Sequence, residues 1–114
     1  MKNNSDVLNI CFKICNNIIY EVNKEGIVTV YEKQNHIIQR FFRKLKFKIP
    51  MYKEITLDEY GSEAFIQIDG KKTVEDIGKI LESRFGENVY PLYDRLLIFL
   101  NHLYVNCEYI EKIN

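Results

Sequence analysis

Two histidines and three cysteines are the side chains best equipped for nucleophilic or metal chemistry in this 114-residue chain. Cys11 and Cys15 stand at C-x3-C spacing, Cys107 lies far along the chain, and neither His36 nor His102 lies near the Cys11–Cys15 pair in sequence. A tetrahedral metal site needs several such ligands converging, usually as paired clusters, and this set does not supply them. An odd cysteine count without a secretory signal also argues against a disulfide framework. Cys107, at the end of a leucine-rich segment, reads as a small buried hydrophobe.

The acidic residues Asp58, Glu59, Asp69, Glu75 and Asp76 form the other candidate group. They occupy positions where helix caps and first turns favour carboxylates, so a folding role explains them without acid–base chemistry. The chain has no G-x-S-x-G elbow, no phosphate-binding glycine loop and no H-E-x-x-H. His102 stands alone on its helix, one turn past the face of Arg95, and reads as exposed or interfacial. The expectation is a protein that is not an enzyme and needs no metal or cofactor. Its function should be binding.

Pattern and punctuation then assign the elements. Residues 1–17 are polar and asparagine-rich, and are expected to be partly flexible, without a regular element. Ile18–Val22 and Ile27–Glu32 are β-branched and aromatic, with Asn23-Lys24-Glu25-Gly26 between them, which predicts a hairpin. Ile27, Thr29 and Tyr31 should face one way and Val28 and Val30 the other. Residues 33–49 mix basic and apolar residues, and a short amphipathic helix over 35–45 fits Ile38, Phe41, Phe42 and Leu45. Pro50 ends that segment, and Met51–Leu57 alternates as a third strand.

The helical half begins at Asp58, the expected N-cap of a helix reaching about Ile68. Leu57, Tyr60, Ala64 and Ile68 recur at three- and four-residue steps as its buried face. Gly70 should take the left-handed conformation that closes this helix. Thr73 and Asp76 form a T-x-x-D capping box for a second helix, Val74 to Phe85, stopped by Gly86. Gly78 inside that helix suggests close helix packing or simple tolerance, since glycine costs up to ~1 kcal/mol there. A third helix runs from Pro91 to Asn106 with a core stripe of Leu92, Leu96, Phe99, Leu100 and Leu103. Tyr93, Leu97 and Tyr104 widen that stripe, and Ile98 and Val105 lie beyond it. So apolar a helix should touch a second surface besides the other helices.

The fold class expected is therefore α+β: a small winged-helix-like domain spanning 1–114, with an N-terminal three-stranded antiparallel sheet followed by three helices. Its formal net charge is zero, but the charge is uneven. Residues 1–57 carry ten Lys and Arg against five Asp and Glu, and residues 58–114 carry six against eleven. Lys33 to Lys53 holds seven basic residues and no acidic one, a surface that can steer an acidic partner. No apolar run is long enough to span a bilayer and no signal peptide is evident, so a soluble, cytoplasmic protein is expected.

Leu57-Asp58-Glu59-Tyr60-Gly61 and Ile68-Asp69-Gly70-Lys71-Lys72-Thr73-Val74, followed by Ile77, resemble the signature of PqqD-like proteins. The resemblance extends over the hairpin Ile18–Glu32 and over Tyr93-Asp94-Arg95-Leu96 through Leu103. Relatives often carry a tryptophan in the first helix, where this chain has Phe65 or a neighbour. The resemblance implies a peptide chaperone or precursor-peptide recognition domain that holds a leader peptide between the third strand and the third helix. The peptide would add as a strand to Tyr52, Lys53, Glu54, Ile55 and Thr56, with Arg95, Ile98 and His102 reading its side chains. A proline at Ile55 should then abolish binding. The other implied partner is a modifying enzyme, such as a radical S-adenosylmethionine protein. Two competing readings are a winged-helix nucleic-acid binder using residues 33–53, disfavoured by the acidic helical half, and a module forming homodimers through the third helix.

Overall fold

The computed structural model describes residues 7–33 and 52–113. The amphipathic helix expected over 35–45 and Pro50 lie outside the described residues. What is described is α+β, with a three-stranded antiparallel sheet, a two-stranded sheet and three α-helices. The strands are β1 (Phe12–Ile14), β2 (Ile19–Val22), β3 (Val28–Lys33), β4 (Tyr52–Thr56) and β5 (Ile110–Lys112). The helices are α1 (Glu59–Ile66), α2 (Val74–Phe85) and α3 (Leu92–Asn101).

β2 and β3 make the expected hairpin, and β4 pairs with the far side of β3 so that the order is β2-β3-β4. Asn23 stabilises the hairpin turn by accepting the amides of Glu25 and Ile27 on its side-chain oxygen, both at 2.9 Å. Gly26 takes φ +81°, a conformation that costs glycine nothing. Val28 and Val30 are fully buried while Thr29 and Tyr31 are half-exposed, which is the alternation a one-sided sheet requires.

The sheet's inner face packs on the helices. Phe65 of α1, Ile77 and Leu81 of α2, and Leu96, Leu100 and Leu103 of α3 and its continuation are essentially inaccessible to water. Burying each such side chain contributes about 1.5–3 kcal/mol, so this layer carries the fold. Asp58 caps α1 by accepting the Gly61 amide at 2.7 Å. The capping box of α2 is reciprocal: Thr73 Oγ1 accepts the Asp76 amide at 3.2 Å and Asp76 Oδ2 accepts the Thr73 amide at 3.0 Å. At Gly78 an added Cβ would sit 2.4 Å from Tyr93 Cε1, so α3 approaches α2 through that gap.

Three features differ from the sequence expectations. First, Phe12–Ile14 is a strand despite its asparagine-rich setting, because β5 supplies a partner about a hundred residues away and Phe12 and Ile110 are both buried. Local composition could not show a pairing so distant.

Second, Gly70 does not close the first helix. That helix ends at Ile66, and Gly70 lies in a separate turn. Asp69 Oδ1 accepts the amides of Lys71 and Lys72, both at 2.9 Å, while the Gly70 amide donates to the Phe12 carbonyl at 3.0 Å.

Third, α3 changes character at His102, continuing as a π-helical turn over His102–Asn106. Glu108 then takes a left-handed φ of 57° and reverses the chain into β5. Among the described residues, no helix is long and apolar enough to cross a membrane.

Candidate cleft between strand β4 and helix α3

The end of β4, the start of α1 and the middle of α3 enclose an open cleft of about 550 Å³. Its lining contains Thr56 from β4, Arg95 and Ile98 from α3, and His102 at the start of the π-helical turn. The family resemblance implied all four as peptide-contacting residues, and the fold places them around one cleft. Ile98 is 72% exposed, whereas Leu92, Leu96 and Leu100 of the same helix are buried.

Leu57, Asp58, Tyr60 and Phe99 complete the cleft and were not anticipated as site residues. Helical spacing marked Leu57, Tyr60 and Phe99 as core, and they are indeed half-buried. Their other sides form the floor. The signal that could have exposed this was Gly61. A Cβ there would stand 3.2 Å from the Phe99 ring and 3.0 Å from Asp58 Oδ1, so glycine is what lets Phe99 settle against α1.

Tyr52, Lys53, Glu54 and Ile55 continue β4 away from the cleft. The register pairs Tyr52 with Lys33, Lys53 with Glu32, Glu54 with Tyr31, Ile55 with Val30 and Thr56 with Thr29. The Leu57 amide donates to the Val28 carbonyl at 2.9 Å, which fixes the alternation of the ladder. Lys53, Ile55 and Leu57 therefore direct their backbone groups at β3, and Glu54 and Thr56 direct theirs at the open edge. Ile55 also faces the core, whereas Glu54 and Thr56 are exposed. Among the described residues, no strand pairs with that edge.

The polar groups of the cleft are held in place from within the chain. The Arg95 guanidinium lies over the Tyr60 ring, 4.6 Å from its centroid, and Nη1 donates to the Asn88 carbonyl at 2.5 Å. This stacking leaves a preorganised cation with further N–H donors at the cleft wall. His102 Nδ1 lies 3.0 Å from Asn106 Nδ2 and its Nε2 lies 3.4 Å from Cys107 Sγ. The imidazole is thus engaged on both sides by the turn that carries it, and it forms a wall of the cleft more than a ready donor. Tyr60 Oη is buried with no hydrogen-bond partner among the described residues, and burial pushes that phenol's pKa up, against a lowering influence from Arg95.

No disulfide forms among the described residues. Cys107, expected as a small buried hydrophobe, is half-buried against the core and in contact with His102; burial is the main cause that pushes its thiol up. Cys11 Sγ donates to the Lys71 carbonyl at 3.6 Å, and the Cys11 backbone forms an isolated antiparallel bridge with Thr73. Among the described residues, no group of three or more His, Cys, Asp or Glu is placed to hold a metal ion. No family model, curated protein or solved structure matches the chain.

Proposed function

We propose that this protein is a non-catalytic peptide-recognition domain that binds the leader of a precursor peptide and presents it to a modifying enzyme, such as a radical S-adenosylmethionine protein. The observation that carries this reading is the adjacency of an open strand edge and an apolar cleft. A peptide laid along β4 would bond the outward amides and carbonyls of Glu54 and Thr56, and its next residues would enter the cleft over Ile98, Phe99 and Leu57. Backbone bonds then give affinity, and side-chain pockets give selectivity. The sequence resemblance to PqqD-like proteins supports the same placement. Arg95 adds a carboxylate-binding element, which favours an acidic leader residue near the apolar ones.

The ladder's parity also improves the test. A proline at Ile55 removes an amide that belongs to the β3–β4 pairing, so loss of binding there would mean only loss of the sheet. Proline at Glu54 removes an outward amide and is tolerated on an edge. Titration calorimetry with the short peptides encoded beside this gene should show binding to the wild-type chain and strong weakening in Glu54→Pro. Equal affinity in that variant, or heat-silent titrations with every encoded peptide, would sink the reading. A nucleic-acid reader would need a row of free polar donors on α3; His102 is already engaged by Asn106 and Cys107, which leaves Arg95 as the one cation of that helix.

A further inference from the structure

Helix α3 and its continuation line a second concave site. Arg95, Ile98 and His102 border the β4 cleft. Leu97, Leu100, Asn101 and Tyr104, spaced as one helical stripe, border a separate cavity of about 390 Å³. Leu97 and Tyr104 are the residues that widen the core stripe in sequence, and the peptide cleft does not use them. Phe12 of β1 and Val74 at the first turn of α2 complete the floor, and Val7 and Ile10 form a wall. Backbone bonds fix that wall: the Ile10 amide donates to the Val7 carbonyl at 3.2 Å, and the Val74 amide donates to the Ile10 carbonyl at 3.0 Å. The cavity is therefore held open by the fold, and its volume falls within the range of about 300–1,000 Å³ common to small-molecule sites.

Its polar groups are uncommitted, unlike those of the β4 cleft. Among the described residues, the side chains of Asn101, Tyr104 and Lys112 make no hydrogen bond or ion pair. Sheet geometry explains why Lys112 is left over. It stands opposite Phe12 in the β1–β5 register, so both side chains leave the same face of that ribbon. Its neighbour Glu111 points to the other face and is committed to Lys13 at 3.0 Å. Among the described residues no carboxylate lines the cavity, so its one formal charge is positive.

We infer that this cavity binds the carboxylate of a medium-length acyl chain, at a site separate from the peptide cleft. The Lys112 ammonium meets the carboxylate, and the Tyr104 hydroxyl and Asn101 amide are the further donors at the mouth. The alkyl body lies over Val74, Leu97 and Leu100. The apolar lining is aliphatic apart from Phe12 and the Tyr104 ring, and those two rings pack on each other, 5.5 Å between centroids. That favours a flexible chain over a flat aromatic acid. A body of roughly eight carbons suits a cavity of this size.

Methyl-resolved NMR titration of the full chain with octanoate, below its micelle threshold, tests this. Saturable shifts should centre on Val74, Leu97 and Leu100, with a Kd on the order of 1 mM for so small a ligand. Octylammonium should bind more weakly than octanoate, and Lys112→Glu should invert that order. Lys112→Ala should weaken octanoate about threefold, the size of an exposed ion pair, and Lys112→Arg should restore it. Leu97→Trp, which fills the cavity from a half-buried position, should abolish the shifts while circular dichroism stays unchanged. No saturable shift, shifts centred on Leu57 and Ile98, or equal affinity for octanoate and octylammonium in the wild-type chain overturns the proposal. So does undiminished binding by a folded Leu97→Trp chain. None of these outcomes bears on peptide binding at β4.

Discussion

The Ser62 hydroxyl accepts the Val28 amide at 2.8 Å and donates to the Leu57 carbonyl at 3.3 Å. It takes over one of the two hydrogen bonds of the Val28–Leu57 pair, whose other bond runs from the Leu57 amide to the Val28 carbonyl, and it is fully buried. One serine thus ties the sheet to the first helix at the place where β4 ends and the cleft begins. Ser62→Ala should cost about 1–3 kcal/mol, since it leaves a buried amide and a buried carbonyl without partners. Urea denaturation measures this directly. A variant as stable as wild type would mean that water enters and satisfies both groups.

Gly78 and Tyr93 make a second prediction, in which two principles oppose one another. Alanine at Gly78 gains up to ~1 kcal/mol in helix propensity. It also places a methyl group 2.4 Å from the Tyr93 ring, which must move and surrender its hydrogen bond to the Glu75 carbonyl. Overpacking of this kind costs about 1–3 kcal/mol, so the net effect should be destabilising. Combining Gly78→Ala with Tyr93→Ala should recover part of the loss, and a double-mutant cycle would show the coupling. A Gly78→Ala protein that melts above wild type would reject the close contact.

Acid should weaken the joint between α1 and α2. The Lys72 ammonium and the amides of Lys72 and Lys71 hold the Asp69 carboxyl well below the usual carboxylate range. The Thr73 amide and hydroxyl lower Asp76 in the same direction. Both pKa values are depressed in the folded chain, so their stabilisation is fully present above the unfolded carboxyl value near ~4 and is lost as pH falls below it. Chemical denaturation between pH 7 and pH 3 should show stability dropping at the acid end, and Asp69→Asn should flatten that drop. Independently, Thr73→Ala should cost about 1 kcal/mol at neutral pH through loss of the cap.

Much of this was legible in the sequence because its signals are local. The Thr73–Asp76 box, the Asp58 cap, Gly86 after α2 and the two-residue alternation of Val28 and Val30 each depend on near neighbours. Strand β1 was not legible, because its own asparagine-rich setting carries no strand pattern and its partner is β5 at the far end of the described residues. Gly70 misled for a related reason: it closes a turn pinned to β1, and only the tertiary pairing distinguishes that from a helix terminus. In the cleft, Arg95, Ile98 and His102 were named through the family resemblance, while the helical pattern alone said only that Ile98 lies off the core stripe. The floor made by Tyr60 and Phe99 was not, since periodicity reports that a side chain is buried but not that its far side lines a cavity.

The cleft itself yields the sharpest separation of binding from folding. Ile98 is mostly exposed, so Ile98→Asp should change stability by no more than about 0.5 kcal/mol, the usual range for surface positions. If a leader peptide docks over it, the same substitution places a charge in the buried centre of the contact and should weaken binding at least ~10-fold, or ~1.4 kcal/mol. Arg95→Gln should weaken an acidic leader but spare one whose carboxylates are replaced by amides. Bound peptide should slow exchange of the Glu54 and Thr56 amides, which face the open edge, and leave that of Ile55, already bonded to β3, nearly unchanged. Protection confined to α3, with no change at Glu54 or Thr56, would mean that the ligand uses the cleft without joining the sheet.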